Sequence, residues 1–383
     1  MIKCDYDIAI IGGGVAGLAA ANLLATKGFK TIVVEKHKYP FHKVCGEYIS
    51  LESKEFLELI DFDYQHYNLP IINKFKLTAG KSSLNTKLPL GGIGVSRYLL
   101  DEQLMKSAGK KGAEILDSTT VSKINYNNYF KVKTTTGEFS ANIVIGAYGK
   151  KSNIDDLKPV KTNKANNFIA VKYHVTADCP HDQIELHIFK NGYCGISKVE
   201  GEGKYCLCYM TSAQNLINSN NSIEILEQTI LSRNKHLRKY FAHYDKLFEN
   251  PVTISQIKLG IKEPLFNNMI MIGDAAGTIA PLCGNGMSIG FHSAYIAAQI
   301  LEDYFQKQMN YSEVLYRYEL QWKQNFSERI KTGIYFQKLF MNEKAAEFAI
   351  NILKYIPTIH SPLIKLTHGK NFVSNHFKGI PVR

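Results

Sequence analysis

Hydrophobic positions along this chain alternate between two patterns. Residues 5–12 carry the run Ile8-Ala9-Ile10-Ile11, β-branched and apolar on both parities, which predicts a buried parallel strand. Residues 15–27 are rich in Ala and Leu and predict a helix, and residues 30–35 predict a second buried strand. Together they make one βαβ unit. Residues 51–60 read as helical, and 71–90 contain short strand-like runs. Over 96–112, Leu99, Leu100, Leu104, Met105 and Ala108 recur at helical spacing. Residues 113–136 predict three short strands with turns at Asn127-Asn128 and Thr136-Gly137, and 142–145 a buried strand ending at Gly146. Residues 168–211 alternate as an antiparallel sheet does, and 252–262 add another strand. The very apolar strand 269–272, a long helix over 288–308 and further helices to about residue 355 complete the pattern, with no internal repeat.

This order predicts an α/β fold in which a Rossmann-like domain is interrupted by an antiparallel sheet and completed only near Gly273. The expected division is 1–68, 91–165 and 262–308 in the nucleotide-type domain, 69–90 and 166–261 in a substrate-binding sheet, and 309–383 in a C-terminal helical region. The intervening sheet is the natural floor of a substrate cavity.

A chain of 383 residues suits two or three closely packed domains. No apolar run reaches the ~18–20 residues of a membrane span. A strand begins almost at the N-terminus, where a signal peptide would place an apolar run and a cleavage site, so a cytoplasmic location is expected. The seven cysteines, at 4, 45, 179, 194, 206, 208 and 283, form no CxxC pair, which argues against zinc and against a disulfide framework. No metal site is expected. The net charge of +12 is partly local: residues 322–383 hold ten Lys/Arg against three Asp/Glu. That stretch reads either as a solvated surface or as a peripheral contact with anionic lipid on the inner face of a membrane. No aromatic-interleaved basic motif points to nucleic acid.

Three segments carry candidate chemistry. The first, Gly12-Gly13-Gly14-Val15-Ala16-Gly17, is a GxGxxG between strand and helix. Gly12 permits the tight turn, Gly14 the approach of a pyrophosphate, and Gly17 close helix–strand packing. Glu35 ends the second strand, where a carboxylate accepts hydrogen bonds from ribose hydroxyls, and Lys36 adjoins it. The second, Gly273-Asp274-Ala275-Ala276-Gly277, follows a strand and suits a flavin's ribityl chain. Pro281 and Gly284-Asn285-Gly286-Met287 then lead into a helix whose N-terminus favours an anionic reduced ring. The third, residues 94–101, places Arg97 at a helix start, from which it reaches a phosphate or ring edge, or simply solvent. Jointly these segments predict FAD.

In this order and spacing the three segments resemble the superfamily of aromatic hydroxylases, flavin-dependent halogenases and geranylgeranyl reductases, over about residues 5 to 304. The resemblance implies a glutathione-reductase-type, three-layer FAD domain, with Gly149 at the cofactor. Lys43-Val44-Cys45-Gly46-Glu47 and Gly273–Gly277 followed by Gly284-Asn285-Gly286 are similar to the geranylgeranyl reductase branch. It implies that Cys45 and Gly46 lie beside the flavin and that Cys45 or Glu47 assists proton delivery. Structural readings stand beside these roles, a small buried filler for Cys45 and a helix-capping acid for Glu47. The reductases' Tyr-x-Trp motif reads Tyr193-Cys194-Gly195 here, which leaves Tyr193 and Gly195 as pocket residues without the Trp. One tryptophan, Trp322, excludes the halogenase Trp-x-Trp signature. Tyr148 stands where hydroxylases carry the Asp of a motif for FAD and NAD(P)H, so the reductant is either NAD(P)H or a separate electron-transfer partner. Among His174, His187 and His292, the last is the favoured acid/base candidate. Three functions follow: a C=C reductase for a lipophilic prenyl or polyketide-like compound, a monooxygenase for an aromatic or alkyl-aromatic compound, or a non-catalytic FAD-bearing redox module.

Overall fold

The computed structural model describes residues 3–150, 167–243, 245–248, 250–307 and 309–373. Tyr6–Ile11 lies at the centre of a parallel sheet. Thr31–Val34 and then Glu114–Leu116 pair on one side, and Glu138–Gly146 and then Met269–Met271 on the other. Residues 8–11 are all buried, as a strand covered on both faces requires. Val121–Tyr126 and Phe130–Thr134 extend this sheet as an antiparallel meander. The helix Val15–Thr26 is Ala-rich, and ten of its twelve residues are buried. Small residues let it pack closely on Gly286–Lys307: a Cβ added to Gly290 would sit 3.4 Å from Ala16 Cβ.

The second sheet has nine strands. Phe168–Thr176, Lys204–Ser212, Gly192–Lys198 and Gln183–Phe189 are successively antiparallel. Gln183–Phe189 then pairs parallel with Ile71–Ala79, so the sheet is mixed rather than purely antiparallel as expected. The reason is topological: a hairpin from an earlier part of the chain joins the edge of a later meander. That hairpin consists of two long strands, Ile71–Ala79 and Ser82–Gly94, where short runs were expected. Polar residues on its outer face interrupt the apolar pattern without interrupting the ladder. Ser82–Gly94 crosses the expected boundary at residue 91, and Tyr48–Ser50, from within the segment 1–68, pairs with it. Residues 51–60 form a 3-10 turn, Leu51–Ser53, followed by the helix Lys54–Leu59. The helix over 96–112 spans Arg97–Lys110, with Ser96 Oγ accepting from Leu99 N at 3.1 Å as its cap. The helix expected from 288 begins at Gly286.

Strand register divides the second sheet into two faces. Lys172, Cys208, Gly195, Leu186, Leu77 and Leu84 are register partners across six strands and share one face. On the opposite face Val171, Tyr173, Leu207 and Tyr209 build a separate core under the helices Ala213–Asn218, Ile223–Thr229 and Lys235–His243. The helix Tyr311–Phe340 buries Val314, Tyr318, Trp322, Phe326 and Ile330 at four-residue spacing. A Cβ on Gly277 would lie 3.1 Å from the Trp322 ring, so this glycine makes room for the tryptophan. Glu343–Leu353 and His360–Lys365 then pack beside the hairpin. Among the described residues no helix is long and apolar enough to cross a membrane.

Candidate active site

Between the two sheets runs one cavity of about 1310 Å³. Ligand pockets for a single small molecule are typically ~300–1,000 Å³, so this volume suits two ligands end to end. Its walls change character along its length. Gly12, Gly14, Glu35, Arg97 and Gly149 line one end, Cys45, Gly46, Asp274, Gly284 and Met287 the middle, and Phe75, Leu77, Leu84, Leu186 and Phe340 the far end.

At the glycine end the backbone is fixed by steric need. Gly12 has φ +109°, and a Cβ there would lie 2.6 Å from the Ala147 carbonyl oxygen. Gly17 is not at the wall; a Cβ on it would overlap the Gly12 carbonyl oxygen, so it serves strand–helix packing. A Cβ on Gly14 would lie 3.6 Å from both Arg97 Nη2 and Lys43 Nζ, which places two cations over the start of the helix Val15–Thr26. Helix N-terminus and cations together suit an anion. Arg97 is buried rather than solvent-facing. Its guanidinium donates twice to Asp101, at 2.7 Å each, and Lys43 Nζ lies 3.3 Å from the same carboxylate. Glu35 is buried, accepting from Gly13 N at 2.9 Å and from His37 N at 3.1 Å, and the exposed Lys36 continues the wall. Gly46 and Gly149 line the cavity, and a Cβ on either would meet nothing within 4 Å. Such a cradle fits a flat, phosphate-bearing cofactor.

The second segment brings Gly273 (φ +58°), Asp274, Pro281, Gly284 (φ +69°), Gly286 and Met287 to the wall. Asn285 does not reach it: its side-chain amide turns away and donates to the Thr367 carbonyl. His292, expected as an acid/base group, does not face the cavity either. One to two turns into the helix, it points into the C-terminal packing, stacked on Phe372 with centroids 4.3 Å apart and edge-on to Phe326 at 5.0 Å. It is not part of the cavity wall. His187 lies on the opposite sheet face, fully buried, with Glu185 at 3.0 Å and Thr78 Oγ1 at 2.8 Å.

Cys45-Gly46-Glu47 crosses the polar end of the second sheet. Ser197 Oγ donates to the Gly46 carbonyl and Cys206 Sγ to the Cys45 carbonyl, both at 3.3 Å. Glu47, fully buried at φ +55°, has both oxygens engaged. Oε1 accepts from Lys172 Nζ and from Arg97 N (2.7 Å), while Oε2 pairs with His174 Nε2 at 2.6 Å. Burial alone would raise the pKa of Glu47, but Lys172 and His174 outweigh it and hold the group at about 2. An anion so committed has no proton to give, so Glu47 is a positioning residue rather than a proton donor. It caps no part of the 51–60 segment; it caps the helix Arg97–Lys110 instead. Cys45 Sγ, at the cavity wall, accepts weakly from Glu47 N at 3.4 Å.

Lys172 escaped the sequence reading. The signal was there: Lys172 and His174 share the parity of Ala170 in an otherwise apolar strand. Of the pocket candidates, Tyr193 and Gly195 both line the cavity. Burial pushes the Tyr193 phenol well above its ordinary pKa, so it keeps its proton. Gly195 leaves the floor bare between the polar and apolar halves. A Cβ there would lie 3.3 Å from Leu186 Cδ2. Gly195→Arg, which puts a charged side chain across the bare floor, is expected to retain FAD and abolish turnover of any substrate reaching the far half, checked by flavin content against steady-state rate.

These features define a dinucleotide-type cofactor end joined to an apolar pocket, the arrangement of a flavoprotein oxidoreductase. Residues 5–187 match the family model for an FAD binding domain, and the protein is an FAD-dependent oxidoreductase similar to the geranylgeranyl reductases. A digeranylgeranylglycerophospholipid reductase of Methanopyrus kandleri is 24% identical, over 88% of this chain and 87% of its own. Conditioned medium factor receptor 1 of Dictyostelium discoideum is likewise 24% identical, over 86% of this chain and 69% of its own. In fold, the chain superimposes with a TM-score of 0.78 and 19% identity on a geranylgeranyl bacteriochlorophyll reductase-like protein of Thermoplasma acidophilum, covering 94% of this chain and 95% of that one.

Proposed function

We propose that this oxidoreductase reduces C=C bonds in a lipophilic, chain-like compound. The observation that carries this reading is the continuity of the cavity: the apolar half, walled by Phe75, Leu77, Leu84, Leu186 and Phe340, opens directly onto the FAD half. The reductase name of the Methanopyrus relative points the same way.

Bound FAD supplies two-electron hydride chemistry. The residues of the chain bind, orient and exclude water. Gly12, Gly14 and the helix start receive the pyrophosphate, Glu35 the ribose hydroxyls, Arg97 and Lys43 the anionic charge, and Asp274 the ribityl chain. Glu47, held by Lys172 and His174, fixes the Cys45-Gly46 turn at the cavity wall, where it would face a bound flavin. The apolar wall desolvates the alkene. Cys45, the thiol that this turn brings to the wall, would deliver the proton that the substrate needs beside the hydride equivalent that reduced FAD would supply. The same lipophilic substrate supports peripheral association with a membrane surface.

The test is to photoreduce the enzyme without air and add prenyl-lipid extracts. The flavin should reoxidise with wild type and stay reduced with Gly195→Arg. Equal reoxidation in both proteins would refute the pocket assignment.

A further inference from the structure

The helix Glu343–Leu353 is apolar on two opposite sides. Ala346 and Ile350 are fully buried in the core beneath it. On the far side Phe348 is 69% exposed, Ile352 45% and, just past the helix end, Tyr355 86%. Spacings of four and three residues place these three on one stripe. At the end of the preceding long helix, Tyr335 and Leu339 are also exposed. Leu339 and Ile352 are at the same time part of the cavity wall, so the stripe reaches the mouth of the apolar half. Large aromatic side chains held in water beside a cavity mouth mark a contact surface.

Charge identifies what covers it. Between residues 338 and 370 the chain has five lysines, 338, 344, 354, 365 and 370, against Glu343 and Glu347. All five lysines are exposed. Glu347 is committed to Lys81 N at 2.8 Å. A second copy of a chain with net charge +12 would bring like charge to this face. A bilayer containing anionic lipid matches both features: aromatics enter the headgroup boundary while lysine stems run along it and their ammonium groups meet phosphate.

We propose that Tyr335, Leu339, Phe348, Ile352 and Tyr355 form a docking face for an anionic membrane surface, with the cavity mouth turned toward the acyl chains. The use of that mouth for substrate entry rests on the lipophilic-substrate reading; the docking does not.

The experiment is flotation of the FAD-loaded full chain with vesicles of phosphatidylcholine alone and of phosphatidylcholine with phosphatidylglycerol, roughly 2:1. Phe348 and Tyr355 are outside the cavity wall. Wild type should float with the anionic vesicles and be released by salt. F348S and Y355S should each lower the partition constant about 10-fold, since each withdraws one ring from the boundary. FAD content should stay at the wild-type level, which excludes misfolding as the cause. Absence of wild-type binding, equal binding by the variants, or a concentration-dependent dimer abolished by F348S would overturn the docking face. Anaerobic reoxidation of the photoreduced enzyme by a detergent-solubilised prenyl lipid, measured without vesicles, reports separately on the reductase reading: its absence in wild type would sink that reading and leave the flotation result standing.

Discussion

Glu47→Gln is expected to destabilise the fold by about 3–5 kcal/mol, because it strands the Lys172 ammonium, fully buried, without its anion. Lys172→Met strands Glu47 by the same logic. The double variant E47Q/K172M removes both charges and should be less destabilised than either single change, the signature of a coupled pair. The pH dependence follows from sign. The folded pKa of Glu47 is depressed to about 2 from an ordinary 4.5, so its contribution is complete above about 4.5 and is lost as pH falls through about 2. Denaturant titrations should therefore show the full gap between wild type and E47Q near neutrality, narrowing below pH 4.5. A gap that stays constant to pH 3, on a scale where the ordinary carboxylate titrates near ~4.3, would contradict the ionised assignment.

Gly17→Val is expected to yield protein without FAD. The added side chain would overlap the Gly12 carbonyl oxygen and crowd Ala147, at 3.1 Å from its Cβ. Gly12 belongs to the glycine turn and Ala147 follows the adjacent strand Glu138–Gly146, both line the cofactor end of the cavity, and neither is the end of a flexible side chain. The overlap therefore exceeds the ~1–3 kcal/mol of ordinary overpacking and displaces the turn itself. Gly109→Ala is the control, since that helical glycine has nothing within 4 Å of a new Cβ and should gain ~0.5–1 kcal/mol. The flavin-to-protein absorbance ratio of the purified variants decides the matter. A Gly17→Val protein with its full complement of FAD would show that the turn tolerates a second arrangement.

What was legible in the sequence was local. The βαβ unit and the strand before Gly273 announce themselves because turn geometry and short-range periodicity constrain neighbouring residues. The Glu47–Lys172–His174 cluster was not legible, since its members lie 125 and 127 residues apart and meet only through the register of the second sheet. The parallel join of Gln183–Phe189 to Ile71–Ala79 was hidden for the same reason. His292 and Asn285 were misplaced by proximity in sequence to the flavin-facing helix start. Helical rotation carries His292 round to Phe326 and Phe372, and the Thr367 carbonyl captures the Asn285 amide. All three partners come from the C-terminal region, where the pattern foretold helices but not which face of the cofactor domain they would cover.

Hydride transfer to an alkene is read from the mass of the product. Reduced enzyme, a prenyl-lipid substrate and a regenerating reductant would be incubated once without air and once under isotopically labelled oxygen. One product is expected in both vessels, heavier than the substrate by two hydrogens and free of label. A product formed only with oxygen present and carrying one labelled atom would contradict hydride transfer and make the protein a monooxygenase.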